Sequence, residues 1–395
     1  MVVESGEGVS VVSARVDAAL PGGVIVPRDE AELAGVVRDA SAPMLVQGNG
    51  TKAGMLRPGR AAAVLSTAGM SGITLYSPSE LVMRARAGTA LAEIEAALAA
   101  HGQQMIAEPS HLFGEAQTIG GVVAANVSGP RRISGGAMRD HVLGLRAVNG
   151  SGEILNFGGR VLKNVTGLDL TKLLTGSFGT LAVITEVTFK VLPVAGAVGT
   201  IVVRVADAQA AVAVMSAGLG SPFSVSGAAY LPGSREVYLR VEDFAESVAY
   251  RCGRLAGQFA GAEILGSGES KALWLSIRDC EALPPGEAMW RVSVRPSAGP
   301  GVLRDVAFAG VTGFLDWGGG LVWLSGPATH EAHEAVCAAA RTGGGVWWLM
   351  RGPEALRAVV EVMPPEAPAL AALRRQVVAK FDPRGIFNPL KMWAA

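Results

Sequence analysis

One stretch of the sequence is more informative than any other: Met44-Leu45-Val46-Gln47-Gly48-Asn49-Gly50-Thr51-Lys52-Ala53-Gly54. Its first three residues predict a short apolar strand, and the glycines that follow leave bare backbone N–H groups that could surround an anion such as a phosphate. The glycines lie at positions 48, 50 and 54. This spacing matches neither the Walker A loop nor the Gly-x-Gly-x-x-Gly fingerprint of NAD-binding Rossmann folds. On spacing alone, a structural turn and a pyrophosphate-binding loop are equally good interpretations.

Short strands and helices are predicted on both sides of this loop. Asp29 and Glu32 form the pattern of a capping box at the start of the first helix. In the first half of the chain we predict strands at 24–27, 62–66, 81–87, 143–148, 153–157 and 181–192, and helices at 31–40, 91–100 and 168–174. Residues 105–136 follow no helical or strand period.

The pattern changes near residue 197, after Pro193. Predicted strands at 200–205, 236–241, 291–294, 321–324 and 346–349 alternate with predicted helices at 208–217, 245–259, 329–341 and 368–380. An antiparallel sheet with helices on one face is the simplest packing for this order. The sequence therefore predicts the α+β class, with a boundary at 193–199 and a tail beyond Phe381 that returns to the first domain.

Composition excludes several classes of protein. Of the 395 residues, 50% are apolar and 17% are charged, which is enough apolar surface for a large core. The 34 basic and 34 acidic residues balance, which argues against nucleic-acid binding. The 3 cysteines are widely spaced, so neither a disulfide framework nor a cysteine-held iron–sulfur cluster is expected. Without a signal-peptide pattern or a long apolar run, we expect a soluble intracellular protein with no transmembrane segment.

Two further glycine turns follow the first loop: Thr118-Ile119-Gly120-Gly121 and Gly176-Ser177-Phe178-Gly179-Thr180. Small residues in the first turn would let the backbone lie flat against a planar ligand, although a close helix crossing explains them equally well. The second turn precedes a predicted buried strand. Each turn alone is a weak signal.

The order of these motifs along the chain is far more specific than any one of them. The 47–51 loop, the 118–121 turn, Lys163-Asn164-x-x-Gly167, the 176–181 turn and Phe381-Asp382-Pro383-Arg384-Gly385-Ile386-Phe387-Asn388-Pro389 occur in succession. Together they resemble the vanillyl-alcohol-oxidase-type FAD-linked oxidases, whose FAD-binding domain is called the PCMH type. Residues 129–145 and 189–193 are most similar to the FAD-binding E subunit family of bacterial glycolate oxidases. The resemblance is dense over 20–195, sparse over 196–370 and present again at 377–392.

The resemblance implies the domain organisation. Residues 1–195 would form a PCMH-type FAD-binding domain with two subdomains. Residues 196–376 would form an α+β cap domain with a mainly antiparallel sheet, serving a substrate or an interface. Residues 377–395 would return to the FAD-binding domain.

The resemblance also implies FAD as the cofactor. Some members attach the flavin to a histidine in the first loop, but this loop has Asn49 and Thr51, so we expect non-covalent FAD. Lys52 would either assist the pyrophosphate or be a solvated loop lysine. The residues implied to bind FAD are Gln47, Gly48, Asn49, Gly50, Thr51, Thr118, Ile119, Gly120, Gly121, Gly176, Ser177, Gly179, Thr180, Ile184 and Asn388.

No catalytic residue is assigned from the sequence. A 2-hydroxy acid needs a carboxylate clamp, for which arginine is suited, and a proton acceptor, for which histidine is suited. The candidates in the first half are His111, His141, Arg131, Arg132 and Arg139. For the Arg131–Arg132 pair we favour pairing with acidic groups or contact with a partner, and His141 is equally well a structural residue. His330 and His333 have no evident third ligand, so no metal site is predicted.

Finally, the resemblance implies a function. The chain would be the FAD-binding subunit of a complex that oxidises glycolate, and D-lactate as well, to the 2-oxo acid. Its partners would be a catalytic flavoprotein subunit and an iron–sulfur subunit, in the cytoplasm or at most peripherally at the inner face of the membrane. A self-sufficient FAD-dependent 2-hydroxy-acid dehydrogenase and a non-catalytic flavin-binding assembly subunit remain alternatives, with a nucleotide-sugar reductase more distant.

Overall fold

The computed structural model describes residues 20–159 and 169–393, so the Lys163-Asn164-x-x-Gly167 motif lies outside the described residues. The described chain is a mixture of helices and strands arranged in three sheets. None of the described helices combines the length and the apolar character needed to span a membrane.

The first sheet is small and parallel, and it carries the glycine loop at the end of its second strand. Its strands lie in the order β1-β3-β2. The elements are β1 (Val24–Ile25), α1 (Glu30–Asp39), β2 (Met44–Gln47) and β3 (Ala63–Ser66). Asp29 caps α1 by accepting a hydrogen bond from the N–H of Glu32 (2.9 Å), while Glu32 accepts from the N–H of Arg28 rather than from that of Asp29. Leu33 and Val37 of α1 are fully buried and fix the helix against the sheet.

The second sheet is antiparallel and larger. Its order is β4-β5-β9-β7-β8, with β6 also paired to β9. The elements are β4 (Ile73–Ser77), β5 (Val82–Arg86), α2 (Leu91–Ala99), β6 (Gln103–Met105), α3 (Ile119–Ala125), α4 (Arg132–Gly135), α5 (Met138–His141), β7 (Val142–Asn149), β8 (Ile154–Gly158), α6 (Leu170–Leu174) and β9 (Ala182–Pro193). Helix α3 lies within the region where the sequence shows no period, because its glycines and alanines conceal the pattern.

The second half forms one antiparallel sheet of eight strands in the order β13-β10-β12-β11-β15-β16-β14-β17. Its elements are β10 (Ala197–Arg204), α7 (Ala208–Leu219), β11 (Val225–Leu231), β12 (Glu236–Asp243), α8 (Ala245–Ala256), β13 (Glu263–Leu265), α9 (Ser267–Arg278), β14 (Ala288–Ser293), α10 (Gly299–Val306), β15 (Thr312–Asp316), β16 (Leu321–Gly326), α11 (His330–Thr342) and β17 (Val346–Arg351). The change from the second sheet to this one falls between Pro193 and Ala197.

Helices cover both faces of this eight-stranded sheet, so the prediction of helices on one face is wrong. A Cβ on Gly199 would lie 2.6 Å from Sγ of Cys252 on α8. The next residue, Thr200, accepts a hydrogen bond from Nε1 of Trp274 on α9 (3.0 Å). Because successive residues of a strand point to opposite faces, α8 and α9 lie on opposite sides. The face that carries α9 is the one that meets the first half of the chain.

The chain ends with two helices, α12 (Glu354–Val359) and α13 (Pro368–Phe381), and a segment that returns to the first sheet. The N–H of Met44 donates to the carbonyl of Ile386 (2.8 Å), and Met44 forms a parallel bridge with Phe387. These contacts place Asn388 at the end of β2, beside the glycine loop.

Candidate functional site

The loop after β2 exposes a run of backbone donors. Within the described residues, none of the five consecutive N–H groups from Gly48 to Lys52 donates a hydrogen bond. The carbonyl of Gly48 instead accepts from Oγ of Ser66 (2.8 Å), and the Asn49 side chain donates to the carbonyl of Ala116 (2.9 Å). Gly50 has φ +72°, a conformation that favours glycine. The loop is therefore held by its carbonyls and side chains, while its half-buried amides remain available to an anion.

Two glycines are required here by close backbone contact. A Cβ on Gly48 would lie 2.2 Å from Oγ1 of Thr118, and a Cβ on Gly120 would lie 2.7 Å from Cβ of Ala87. Neither position has room for a side chain. The glycine loop and the 118–121 turn therefore lie directly against each other.

The 118–121 turn is the start of α3, and the N–H groups of Ile119, Gly120 and Gly121 already have acceptors within the protein. Thr118 caps the helix by accepting from the N–H of Gly121 (3.3 Å). The N–H of Ile119 donates to the carbonyl of Thr89 (3.0 Å), and that of Gly120 donates to the carbonyl of Ala87 (2.9 Å). These three N–H groups are therefore not available to an anion, unlike those of the loop, against which Thr118 packs.

Asn388 joins the loop to the 176–180 turn. Its Oδ1 accepts from the N–H of Val46 (2.8 Å), and its Nδ2 donates to the carbonyls of Val46 (3.1 Å) and Phe178 (2.8 Å). A Cβ on Gly179, whose φ is +67°, would lie 2.9 Å from that Nδ2. One buried amide thus fixes the spacing of two segments that are far apart in sequence.

The other predicted residues of this turn form hydrogen bonds that hold the turn in place. Gly176 has φ +90°, and its N–H donates to the carbonyl of Val123 (3.1 Å). The hydroxyl of Ser177 donates to the carbonyl of Leu174 (2.8 Å), and that of Thr180 donates to the carbonyl of Ser177 (2.7 Å). Gly176 and Ser177 thus tie the turn to its own surroundings.

Two more predicted residues have different environments. Ile184 on β9 is buried in the core cluster that also contains Ile119, so the structure gives its side chain a packing role. The Gln47 side chain lies beside Gly50, with Oε1 3.3 Å from the position of a Gly50 Cβ.

Two lysines flank the glycine loop, and neither is fully solvated. Nζ of Lys52 donates to Oε1 of Gln117 and lies 5.1 Å from the centre of the Phe113 ring. Nζ of Lys391 donates to the carbonyl of Ala53 (3.4 Å). Burial lowers the pKa of Lys52 to about 7 and, together with a nearby cation, that of Lys391 to about 7. The solvated alternative for Lys52 is therefore wrong, and Lys391 was missed although it lies two residues after Pro389.

The histidines named from the sequence are engaged elsewhere. Nε2 of His111 bonds to Glu95 (2.9 Å) and Nδ1 lies 3.5 Å from Glu115. The hydrogen bond to Glu95 is the main reason why the pKa of His111 is raised. His141 is buried, and burial lowers its pKa. Arg139 is exposed on α5.

Arg131 belongs to a buried network of four charges that joins the two halves of the chain. Its Nη2 lies 3.0 Å from Glu108 and 2.8 Å from Glu242, while Nη1 of Arg240 lies 2.8 Å from the same Glu108. Nε of Arg240 completes the set at 3.3 Å from Glu242. Burial would raise the pKa of Glu242, but the two arginines outweigh burial and hold it at about 2. For Arg131, pairing with acidic groups is therefore what the structure shows.

A cleft of about 510 Å³ opens beside this network, between α2 and α9. Its buried charged groups are Glu108, Arg131, Arg240 and Glu242, and these already pair with one another. The cleft therefore offers a ligand little uncompensated buried charge.

Arg132, the next residue, has a different environment. Its guanidinium lies 4.6 Å from the centre of the Trp317 ring, and no hydrogen bond or ion pair involves its side chain within the described residues. Adjacent arginines thus differ completely in their partners.

The His330/His333 pair does not act together. His333 is fully buried: Nδ1 accepts from Nε1 of Trp290 (3.1 Å), and Nε2 lies 3.1 Å from the carbonyl of Glu361. A group of three possible metal ligands comprises His333, Glu334 and Cys337, without His330. Because both ring nitrogens of His333 have protein partners, we interpret the group as structural.

Comparison with known proteins identifies the chain. The model of a family described as an FAD binding domain matches residues 21–158, which include the glycine loop and α3. Glycolate oxidase subunit GlcE of Escherichia coli (strain K12) is 36% identical over 357 residues, covering 89% of this chain and 93% of that subunit. The chain belongs to the FAD-linked oxidase family. It is an FAD-dependent oxidoreductase, and FAD is its cofactor.

Other relatives match a shorter part of the chain. D-lactate dehydrogenase of Archaeoglobus fulgidus is 36% identical over 43% of this chain and 38% of its own length. Glycolate oxidase subunit GlcD of Bacillus subtilis (strain 168) is 32% identical over 44% of this chain and 37% of its own length. Two solved structures of alkyldihydroxyacetonephosphate synthase superpose with TM-scores of 0.66 and 0.69 at 17% and 16% identity, covering 93% of this chain and 75% and 76% of theirs. They confirm the predicted PCMH-type α+β fold.

Proposed function

We propose that this chain is the FAD-binding subunit of a glycolate oxidase complex that oxidises glycolate, and D-lactate as well, to the 2-oxo acid. The observation that carries the proposal is the extent of the similarity to GlcE, which runs over 89% of this chain and therefore includes the second half. Similarity to the D-lactate dehydrogenase of Archaeoglobus fulgidus covers only 43%. A match over 89% of the chain must include most of the second half, which favours a GlcE-like subunit.

We propose further that FAD is bound without a covalent link, with its pyrophosphate on the free amides of the loop. Each charge-assisted hydrogen bond of this kind contributes about 1.5–3 kcal/mol. Lys52, beside Gly121, would add positive charge. When bound, FAD would accept the hydride that leaves the C2 carbon of the substrate. The residues proposed to contact or support it are Gln47, Gly48, Asn49, Gly50, Thr51, Thr118, Ile119, Gly120, Gly121, Gly176, Ser177, Gly179, Thr180, Ile184 and Asn388.

The positions of the cysteines favour an iron–sulfur electron acceptor on another subunit. All three are buried and free, and they lie on or beside different helices: Cys252 on α8, Cys280 after α9 and Cys337 on α11. An iron–sulfur cluster needs a set of cysteine thiolates that converge on it. We therefore propose that electrons pass to an iron–sulfur subunit, in a complex with a catalytic flavoprotein subunit, in the cytoplasm or peripherally at the inner face of the membrane.

Reconstitution tests this function. The complex should reduce an artificial electron-acceptor dye when glycolate is added, lose this activity when the present chain is omitted, and regain it when the purified chain is added back. Full activity without the chain would refute a required role. Glycolate-dependent bleaching of the flavin in the isolated chain would favour the self-sufficient dehydrogenase instead.

A further inference from the structure

The strongest unexplained feature is a pair of arginines that form no ion pair among the described residues, at the place where the FAD-binding half meets the eight-stranded sheet. Arg132 begins α4, and Arg291 lies on β14. Their guanidinium carbons lie 4.6 and 4.9 Å from the centre of the same Trp317 ring. Arg291 also lies 5.1 Å from the centre of the Trp348 ring, on the neighbouring strand β17. Both arginines are half-buried.

The charges of Asp316 and Asp140 act on Arg291 and Arg132, respectively, but neither carboxylate forms an ion pair with its arginine among the described residues. Oδ1 of Asp316 accepts from the N–H of Trp317 (2.7 Å), and Oδ2 of Asp140 accepts from the N–H of Ala137 (2.8 Å). Within the described residues, neither arginine side chain forms a hydrogen bond or an ion pair. Two like charges in a half-buried interface repel each other, and burial together with Arg132 lowers the pKa of Arg291 to about 10. An anion bound by both guanidinium groups would offset this repulsion.

The free donors also determine which ligand fits. Each guanidinium lies over a tryptophan ring, and none of its N–H groups donates a hydrogen bond within the described residues. The edge of a guanidinium presents these N–H groups in one plane. That edge matches the two oxygens of a carboxylate. A small carboxylate is therefore better suited to this pair than an uncharged molecule.

The pair lies near the proposed FAD site. Nε1 of Trp317 donates to the carbonyl of Gly129 (3.0 Å), three residues after Asn126, which ends α3. Asn126 in turn lies against the 176–180 turn, with its Cβ 3.5 Å from the position of a Gly176 Cβ. At 1.5 Å per residue, the seven residues of α3 separate this end from Thr118 by about 10 Å. The arginines thus lie at the opposite end of α3 from the glycine loop.

We propose that Arg132 and Arg291 form the binding site for the carboxylate of a small 2-hydroxy acid, an assignment that rests on the proposed function. The site would be shared by the two halves of the chain, because each half supplies one arginine. Trp317 and Trp348 would be positioning residues that hold the guanidinium groups at the right angle.

Calorimetric titration of the FAD-loaded chain with oxalate, a dicarboxylate that cannot donate a hydride, tests this site. We expect Arg132→Met and Arg291→Met each to weaken oxalate binding at least tenfold. Arg291→Lys keeps the positive charge but loses the two parallel N–H donors of the guanidinium, so it should bind oxalate several-fold more weakly than the wild type. This variant replaces the Met variants in the test if those do not fold. Arg341→Met is the matched control, because Arg341 also stacks on a tryptophan (5.0 Å to Trp347) but is exposed on α11, and its oxalate affinity should be unchanged.

Other outcomes would overturn the assignment. One is a wild-type chain that binds no oxalate. Another is a loss of FAD absorbance in the arginine variants with oxalate affinity retained, because the arginines would then serve the flavin. The proposed function can fail independently of this site. Oxalate binding that depends on the arginines, in a complex that does not oxidise glycolate, would support the anion site and refute the proposed function. Glycolate oxidation by the complex, with oxalate affinity unchanged in the arginine variants, would support the proposed function and refute the anion site.

Discussion

Two regions of the molecule differ in whether their polar groups are paired within the protein. In the interdomain network, Glu108 and Glu242 each contact both Arg131 and Arg240, so two positive and two negative charges cancel within the protein. In the loop 48–52, five N–H groups have no protein partner among the described residues. The charges that pair within the protein hold the two halves together, whereas the N–H groups of the loop are available to a ligand. Removing a charge from the network should therefore lower the free energy of unfolding. Disturbing the loop should instead lower the affinity for FAD.

The largest effect is expected in the network. Glu108→Gln leaves two buried guanidinium groups with one carboxylate, and breaking such a pair costs about 3–5 kcal/mol. The free energy of unfolding, measured by chemical denaturation, should fall by that amount. Arg204→Gln is the control, since Arg204 is 77% exposed where it meets Glu236, and its loss should cost about 1 kcal/mol or less. Equal losses of unfolding free energy in the two variants would show that the network contributes no more to stability than an exposed ion pair does.

Asn388 lies outside both regions, but it combines internal hydrogen bonds with a position beside the loop, so its removal should affect both quantities. Asn388→Ala removes the side-chain partner of half-buried backbone groups of Val46 and Phe178, which should lower total stability by about 1–3 kcal/mol. It should also weaken FAD binding about tenfold, because the loop and the 176–180 turn would lose their common anchor. Asn156→Ala, on the exposed side of β8, should change neither quantity. FAD affinity that stays at the wild-type value in Asn388→Ala would separate the anchor from the cofactor site.

A smaller effect should appear as a dependence on pH. The pKa of Lys52 is about 7 in the chain without ligand and near 10.4 when unfolded, so between these values the unfolded chain binds more protons and stability rises with pH. An anion raises this pKa again, so FAD affinity should fall as pH rises from 6 to 9. Fluorescence titrations should show a shallower fall in Lys52→Met.

Lys391 titrates in the same range, so Lys52→Met should leave part of the slope and a double variant with Lys391→Met should leave almost none. A slope that is identical in the wild type and both variants would mean that neither lysine responds to the cofactor.

Local patterns predicted much of the fold. The helix over 31–40 follows from its capping residue and its apolar period, and the structure has it at Glu30–Asp39. Helices α3 and α9 and strands β11 and β15 were not predicted. Strand β11 is rich in small residues and β15 has five residues, so neither carries a clear alternation. Their positions are set by packing in the sheet rather than by their own pattern.

The candidate site shows the same limit. The glycine loop could be found because its signal is contained in a few consecutive residues. Arg131 and Arg132, in contrast, are indistinguishable in the sequence. Arg131 pairs with Glu242, 111 positions away, and Arg132 shares Trp317 with Arg291. Such partners are brought together only by the packing of the two halves, so sequence reasoning could name the pair but could not separate their roles.

The most direct test of the loop as the FAD pyrophosphate site is a comparison of two alanine variants in it. A methyl group at Gly48 would collide with Thr118, whereas a Cβ at Gly54 meets nothing within 4 Å. The flavin should be released intact by acid precipitation, and the dissociation constant of FAD for the stripped chain should rise at least tenfold in Gly48→Ala and stay unchanged in Gly54→Ala. Equal affinities in the two variants, or a flavin that remains attached to the precipitated protein, would contradict the account.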